Sequence, residues 1–183
     1  GADYQDWDGT DFPTDLPVAL QLRWKGLPHQ AELLGMAVSW QEKQGRWVSP
    51  EQIGQLDGWL RDPERLKWVH DLRTQLVVLW RHGYDLDGAQ DTKVMSYLCE
   101  PTKVIPHELG GVAREYLQRT LSNDDAERVV CQQADFIGQI YPILKVRLQE
   151  LGLADTYREL DLPLSRVLAR MQSDGILVDP VDL

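Results

Sequence analysis

The sequence predicts an α/β fold, in which one mixed β-sheet is flanked by helices and followed by a helical C-terminal segment. Strand-like alternation of apolar and polar residues dominates the first part of the chain, strand and helix patterns then alternate, and helical periods fill the last part. Strands followed by alternating strands and helices are typical of helices layered on a sheet. The 183 residues, 43% of them hydrophobic, are sufficient for one core.

Five strands are predicted, and the first three form an antiparallel meander. The five cover residues 18–24, 34–40, 46–48, 66–70 and 84–89. In the first of them every second residue from Val18 to Trp24 is a large apolar one, as expected for a strand with one buried face. Short turns at 26–28 and 43–45 allow consecutive strands to pair in antiparallel fashion.

Six helices are predicted from start signals and from apolar residues at helical spacing. They begin at Ser49, Asp71, Asp91, Pro106, about Asp124 and Tyr157. Ser49 opens a capping box, with a proline at the first helical position and a glutamine at the third. Asp71 and Asp91 are typical N-cap residues. The longest helix is expected to extend to Glu150, and the last to Met171.

The acidic residues are concentrated at the N-terminus. The chain has 29 acidic and 19 basic residues, which gives a formal net charge of −10. Residues 1–15 contain aspartates but no basic residue, and we expect a solvated linker there. The negative charge disfavours independent, nonspecific DNA binding, because such binding depends on lysine and arginine.

The sequence shows no membrane-spanning or metal-binding pattern. No stretch reaches the ~20 apolar residues that a membrane helix needs, so no membrane association is expected. Cys99 and Cys131 have no CxxC spacing and are predicted to be buried free thiols, which is typical of a reducing, cytoplasmic location. The four histidines show no ligand spacing, so a zinc site is not expected.

Two parts of the chain resemble bacterial family A DNA polymerases. Residues 162–171 and 174–179 closely resemble the segment that opens the polymerase part of these enzymes. A second group of residues is similar to a stretch of the 3′–5′ exonuclease domain that precedes it. The matching positions are 91–92, 96–98, 101–102 and 107–109. Order and spacing also match, and the resemblance covers roughly residues 16–183, so the chain is identified as a fragment of a larger polymerase of this family.

The resemblance implies a ribonuclease H-like fold, with a mixed five-stranded sheet flanked by helices. It divides the chain into an acidic linker at 1–15, an exonuclease-like domain at 16–152 and the start of the polymerase domain at 153–183. It implies a role in DNA replication and repair, with DNA bound through the parent polymerase and this segment packed on the polymerase domain of the same chain. A monomer is expected. Mg²⁺ is expected for the parent polymerase, and no cofactor for this segment.

The exonuclease motifs of the family are degenerate in this chain. Active members hold two divalent cations with four carboxylates. The first motif places two of these on Leu20 and Leu22, and the second places one on Gln75. The third, Tyr-x-x-x-Asp on a helix, falls on Val129 and Gln133. No catalytic or metal-binding residue is therefore expected, because Mg²⁺ requires anionic oxygen ligands and a cation buried without them meets a large desolvation penalty.

We expect a catalytically inactive exonuclease-like domain with a structural role, and two alternatives stay open. One is an active or weakly active 3′–5′ exonuclease with displaced ligands such as Asp71, although helix capping is the ordinary role of that residue. The other is a module that binds single-stranded DNA ends or a protein partner without cutting. Exposed aromatic residues beside lysine or arginine would favour this second alternative, because bases stack on such platforms.

Three further charged residues receive no catalytic role. Asp135 lies about 200° around its helix from Gln133 and is expected to be an exposed charge facing away from the motif positions. Arg166 and Arg170 share one helical face, which either contacts template backbone in the full polymerase or is solvated.

Overall fold

The computed structural model describes residues 1–102, 106–122 and 126–175. The strands run β1 Asp3–Asp6, β2 Val18–Lys25, β3 Glu32–Ser39, β4 Gln44–Val48, β5 Lys67–Val69 and β6 Ala89–Asp91. Among the described residues they form one six-stranded sheet with the order β1-β4-β3-β2-β5-β6. The neighbours β2, β3 and β4 pair in antiparallel fashion, whereas the β1–β4, β2–β5 and β5–β6 pairs are parallel. The predicted mixed sheet is confirmed.

Helices occupy most of the remaining described chain. They run α1 Pro50–Ile53, α2 Asp57–Arg61, α3 Leu72–Arg81, α4 Thr92–Cys99, α5 Leu109–Leu117, α6 Ala126–Glu150, α7 Ala154–Thr156 and α8 Leu162–Ser173. A π-helical turn, Tyr157–Asp161, joins α7 to α8. The predicted starts at Ser49, Asp71 and Asp91 are confirmed as N-caps of α1, α3 and α4. No helix of the described ranges combines the length and the apolar character needed to cross a membrane.

The helices cover both faces of the sheet. Leu20 and Leu22 of β2 are buried in one core cluster together with Leu76 of α3. Ala19 points to the opposite face, where it is buried with Ile137 of α6. This separation follows from the alternation of side chains along a strand. It places α3 and α6 in different layers, which decides where the motif positions lie.

The N-terminal segment differs from the solvated linker predicted for residues 1–15. The chain pairs with β4 as strand β1, and the following Trp7 is buried and donates its Nε1–H to the Asp11 carbonyl oxygen at 2.8 Å. Phe12 packs against Trp59 with ring centroids 4.8 Å apart. Burial of these aromatic rings holds the segment on the core, and the sheet has six strands instead of the predicted five.

Three other predictions need correction. The fifth predicted strand, 84–89, is instead β6 at Ala89–Asp91, because only this later segment lies in register with β5. The helix predicted from Pro106 begins at Leu109, since the preceding His107 carbonyl bonds to the His70 ring at 2.7 Å. The last predicted helix begins with the π-helical turn. Residues 103–105, 123–125 and 176–183 lie outside the described ranges. They include the predicted start of the longest helix at about Asp124 and part of the segment 174–179 that resembles the polymerase opening. Both cysteines are buried free thiols, as predicted.

Candidate nuclease-like site

The first motif positions, Leu20 and Leu22, are buried on the face of β2 that packs against α3. β2 and β5 run parallel, with Val18 opposite Lys67 and Ala19 opposite Trp68. Their carboxyl ends therefore lie at the same edge of the sheet, and α3 begins directly after β5 at that edge. This topology positions the side chains of α3 next to the end of β2.

Gln75 of α3 is hydrogen-bonded to β2. Its Oε1 accepts the backbone N–H of Leu22 at 3.0 Å, and the Gln75 side chain is only 1% exposed. β5 ends at Val69, so the Leu22 N–H lies beyond the part of β2 that β5 can pair with. A buried N–H without a partner is costly, and the Gln75 amide supplies that partner. Two motif positions are thus directly joined.

Val129 and Gln133 lie one turn apart on α6 and are half-buried. Gln133 forms no side-chain hydrogen bond with another described residue. The sheet-facing side of α6 contacts the face of β2 that holds Ala19, not the face that holds Leu20 and Leu22. The structure therefore brings Leu20, Leu22 and Gln75 together and leaves the third motif on the other layer.

The residues at these positions do not fit a two-metal site. Leucine side chains offer no ligand atom, and the Gln75 oxygen already accepts the Leu22 N–H. Mg²⁺ prefers carboxylates and water in an octahedral arrangement, whereas this set contains only neutral amides and hydrocarbon. Within the three described ranges, no group of three or more histidine, cysteine, aspartate or glutamate side chains is arranged to hold a metal ion.

Asp71, the candidate displaced ligand, is engaged as a helix cap. It adopts φ 75°, in the left-handed region that aspartate tolerates, and its carboxylate accepts the Thr74 hydroxyl at 2.7 Å. Its Oδ2 also lies 3.6 Å from Lys93 Nζ. Its role as N-cap of α3 agrees with the sequence prediction.

Asp91 joins the starts of two helices. Its buried carboxylate accepts the backbone N–H groups of Asp71, Leu72 and Lys93, each at 2.9 Å. Burial raises the pKa of Asp91 to about 6, the negative charge of Asp71 acts in the same direction, and these hydrogen bonds oppose both. The predicted capping role of Asp91 is confirmed, and the residue caps α3 as well as α4.

His70 belongs to a buried hydrogen-bond network next to Asp91. Its Nδ1 lies 2.8 Å from Thr92 Oγ1, and its Nε2 lies 2.7 Å from the His107 carbonyl oxygen. Because a carbonyl oxygen only accepts, Nε2 carries a proton. Burial lowers the pKa of His70 to about 4. The network ties the ends of β5 and β6 to the segment before α5, and it was not predictable because its members are far apart in sequence.

A cavity of about 460 Å³ lies beside these residues, between α4 and α8. Tyr97, Arg73 and Lys93 line it, and Tyr97 is 51% exposed. Four carboxylic acids line the same cavity, those of Asp71, Asp91, Glu108 and Asp161. The described lining therefore combines an exposed aromatic ring and two cations with an excess of acids.

Asp135 is buried, so the expectation of an exposed charge is wrong. Its carboxylate accepts the Tyr4 hydroxyl at 2.6 Å, the Lys43 backbone N–H at 2.9 Å and the Gln139 amide at 2.8 Å. The residue does lie away from Gln133 on the helix, but that side of α6 packs against β1 and the β3–β4 turn. Burial and the Asp135 bond raise the pKa of Tyr4.

Arg166 attaches α8 to the sheet domain. Its guanidinium lies 3.2 Å from a carboxylate oxygen of Asp85 and of Asp87, and donates to the Leu86 carbonyl oxygen at 2.6 Å. It also lies over the Trp80 ring of α3, 5.7 Å from the centroid. Arg166 is therefore an internal contact, so the expectation of a solvated face is wrong for this residue, and template contact of the arginine face stays a prediction.

Comparison with known proteins identifies the family to which this chain is similar. The family model described as DNA polymerase I, ribonuclease H-like domain matches residues 25–127. The thermostable DNA polymerase I of Thermus thermophilus is 35% identical over 154 residues, which span 83% of this chain and 16% of that protein. DNA polymerase I of Mycobacterium bovis is 27% identical over 176 residues, 84% of this chain and 19% of that protein. The chain thus spans less than a fifth of the length of these relatives.

Solved structures show the same fold. The polymerase domain of Pol1 from M. smegmatis, in complex with DNA primer-template and dNTP, superposes with a TM-score of 0.80 at 23% identity, over 96% of this chain and 33% of that one. Brucella melitensis NrnC bound to pGG gives a TM-score of 0.81 at 18% identity, over 98% of this chain and 97% of that one. At these identities the likeness establishes a ribonuclease H-like exonuclease fold. Together with the family match, it shows that this chain belongs to the DNA polymerase I family, as its 3′–5′ exonuclease-like domain.

Proposed function

We propose that this domain has no nuclease activity and serves as a structural support for the polymerase domain of a DNA polymerase I. The observation behind this proposal is the hydrogen bond from the Leu22 N–H to Gln75 Oε1. Gln75 places a neutral amide at a position where the family motif would have a carboxylate, and the oxygen of that amide is already used by the backbone. Close carboxylates repel one another without metal, so leucine and glutamine at these positions favour a stable fold over ion binding.

The attachment of α8 supports the structural part of the proposal. α3 carries Gln75 near its start and Trp80 near its end, and Trp80 contacts Arg166 of α8. Trp80 Nε1 also donates to Asp85, which pairs with Arg166. A change in the position of α3 would therefore move α8, the helix that resembles the beginning of the polymerase domain.

In this proposal residues 16–152 form the exonuclease-like domain, with β1 added to its sheet, and residues 153–183 begin the polymerase domain. DNA is bound through the parent polymerase, which uses Mg²⁺ for replication and repair synthesis in the cytoplasm as a monomer. The degenerate positions Leu20, Leu22, Gln75, Val129 and Gln133 take no part in catalysis.

Incubation of the domain with labelled single-stranded DNA and Mg²⁺ or Mn²⁺ tests the loss of activity. We expect no trimming of the 3′ end at either metal. Metal-dependent trimming by the wild-type domain that disappears in the Asp71→Ala variant would contradict the proposal and support a displaced metal ligand. An Asp57→Ala variant, at an exposed acid outside the site, controls for nuclease contamination of the preparation.

A second candidate function is binding of single-stranded DNA ends without cutting. The exposed Tyr97 beside Lys93 and Arg73 favours it, because bases stack on aromatic rings flanked by cations. The four acids of the same cavity oppose it by repelling phosphates. Fluorescence anisotropy with a labelled oligonucleotide at low salt separates the two functions. Binding that is lost in Tyr97→Ala would support the second candidate, and absence of a change would remove it.

A further inference from the structure

A second cavity lies at the edge of the sheet opposite to Leu22 and Gln75, and has a volume of about 450 Å³. It is enclosed by the segment before β2, the β3–β4 turn, the middle of β5 and one side of α6. Its lining includes Leu16, Trp40, Glu42, Trp68, Leu117 and Ile143. Pockets of about 300–1,000 Å³ are typical of ligand sites, so the volume is sufficient for two or three side chains.

One wall of this cavity is apolar. Leu16 is exposed, and Ile143, beside Pro142, is 39% exposed. Both are large apolar side chains that remain outside the buried core of the domain. Trp68 is held in place by stacking on Tyr141, with ring centroids 4.2 Å apart. Apolar side chains gathered at a concave surface are typical of protein interaction sites.

The other wall offers hydrogen-bond acceptors. Pro142 has no backbone N–H, so the Gly138 carbonyl lacks its usual intrahelical donor, and both residues line the cavity. Asp135 also belongs to the lining, but its buried carboxylate already accepts three hydrogen bonds, so the exposed Glu42 at the β3–β4 turn is the acid available to a ligand. The described residues that line the cavity include these two acids but no lysine, arginine or histidine.

We propose that this cavity docks a segment of a partner protein in which leucine or a similar aliphatic residue stands next to lysine or arginine. The apolar wall would bury the aliphatic side chain, and the carboxylate of Glu42 would accept hydrogen bonds from the cation, together with the Gly138 carbonyl that Pro142 leaves without its usual donor. The face of Trp40 or Trp68 adds attraction for a cation. Phosphate groups would meet the negative charge of Glu42 and no lysine, arginine or histidine among the described lining residues, so nucleic acid does not fit this surface.

Titration of the isotope-labelled domain with two acetylated hexapeptides tests the proposal. Both contain two leucines, which are flanked by a lysine and an arginine in one peptide and by glutamates in the other. We expect the basic peptide to shift the backbone and indole resonances of the cavity residues. The acidic peptide should bind at least tenfold more weakly, because charge complementarity distinguishes the two.

Matched variants locate the binding site. Ile143→Asp and Glu42→Lys should each weaken the basic peptide at least tenfold. Two control variants should leave binding unchanged. One is Val146→Asp, at a 52% exposed residue one turn along α6 that does not line the cavity, and the other is Glu32→Lys at the far end of β3. Glu42 is exposed, so its variant tests the proposal even if Ile143→Asp unfolds the domain.

Several results would overturn the proposal. One is equal binding of the two peptides, and another is the absence of resonance shifts with either. Shifts of the cavity resonances by a thymidine oligonucleotide would assign the surface to DNA. Concentration-dependent dimerisation that Ile143→Asp abolishes and Val146→Asp preserves would assign it to a second copy of the chain.

Discussion

Gln75 Oε1 lies 3.0 Å from the backbone nitrogen of Leu22 and joins α3 to the end of β2. The two residues are 53 positions apart in the chain, and both are buried. The resemblance to family A polymerases predicts metal-binding carboxylates at these two positions. Here the neutral Gln75 amide accepts the Leu22 N–H, which lies beyond the part of β2 that pairs with β5. The contact between α3 and β2 therefore does not need a bound ion.

The variant Gln75→Leu should lower the free energy of unfolding by about 1–3 kcal/mol, because it leaves the buried Leu22 N–H without an acceptor. Urea unfolding followed by circular dichroism measures the change. Gln149→Leu, at an exposed glutamine of α6, is the matched control and should change stability by less than about 0.5 kcal/mol. Equal stability of the two variants would show that the bond contributes nothing.

Restoring the motif carboxylates should make the domain dependent on metal. The variant carries Leu20→Asp, Leu22→Glu and Gln75→Asp, the three motif positions that the structure brings together. We expect a loss of several kcal/mol without metal, because buried like charges repel and lose hydration. Mg²⁺ should raise its melting temperature and leave that of the wild type unchanged. A rise in the wild type would indicate a divalent-ion site in the native sequence.

Local chemistry explains what the sequence predicted about the fold. The starts of α1, α3 and α4 depend on Ser49, Asp71 and Asp91 capping the backbone a few residues away, so their signals are contained in short windows. β1 was missed because a strand of four residues with two aspartates has no such signal. Its formation depends on the edge of β4, far along the chain.

In the candidate site, too, contacts between residues far apart in the sequence could not be predicted. The resemblance to family A polymerases predicts a carboxylate position at Gln75, but the bond of Gln75 to Leu22 could not be predicted, because it depends on how far β5 extends. The burial of Asp135 likewise depends on Tyr4, 131 positions earlier in the chain. Helical periodicity placed Asp135 away from Gln133, but it did not indicate that β1 covers that side.

Replacement of the shared cap Asp91 should destabilise two helices at once. Asp91→Asn keeps the shape but offers one acceptor oxygen and an NH₂ group that cannot accept the backbone N–H groups of α3 and α4. We expect a loss of about 2–4 kcal/mol, the effect of two helix caps. Thermal and urea unfolding measure it, with Asp57→Asn as an exposed control. A loss below about 0.5 kcal/mol would show that neither cap matters.

Arg166→Leu should loosen α8 without unfolding the sheet. The substitution removes the pairs with Asp85 and Asp87 and the contact with Trp80. Hydrogen exchange followed by mass spectrometry should become at least tenfold faster in α8, with little change in β2 and β3. Arg158→Leu, which removes pairs with exposed acids only, is the control. Unchanged exchange in α8 would contradict its attachment through Arg166.

His70 should make the domain sensitive to mild acid. Its pKa in the folded state is about 4, below the ordinary value of 6.5, because burial disfavours the charged ring. Above pH 6.5 both states hold a neutral ring, and the full stability is present. As the pH falls from 6.5 towards 4, the unfolded state binds a proton that the folded state does not, so up to about 3 kcal/mol is lost.

The variant His70→Asn separates this effect from other titrations. It keeps a group able to bond Thr92 but cannot take up a proton, so its stability should fall less than that of the wild type between pH 7 and 4.5. Asp91, whose raised pKa acts in the opposite direction over this range, is present in both proteins and cancels in the comparison. Urea unfolding at several pH values measures both slopes. Parallel slopes would show that the buried His70 ring does not cause the acid sensitivity.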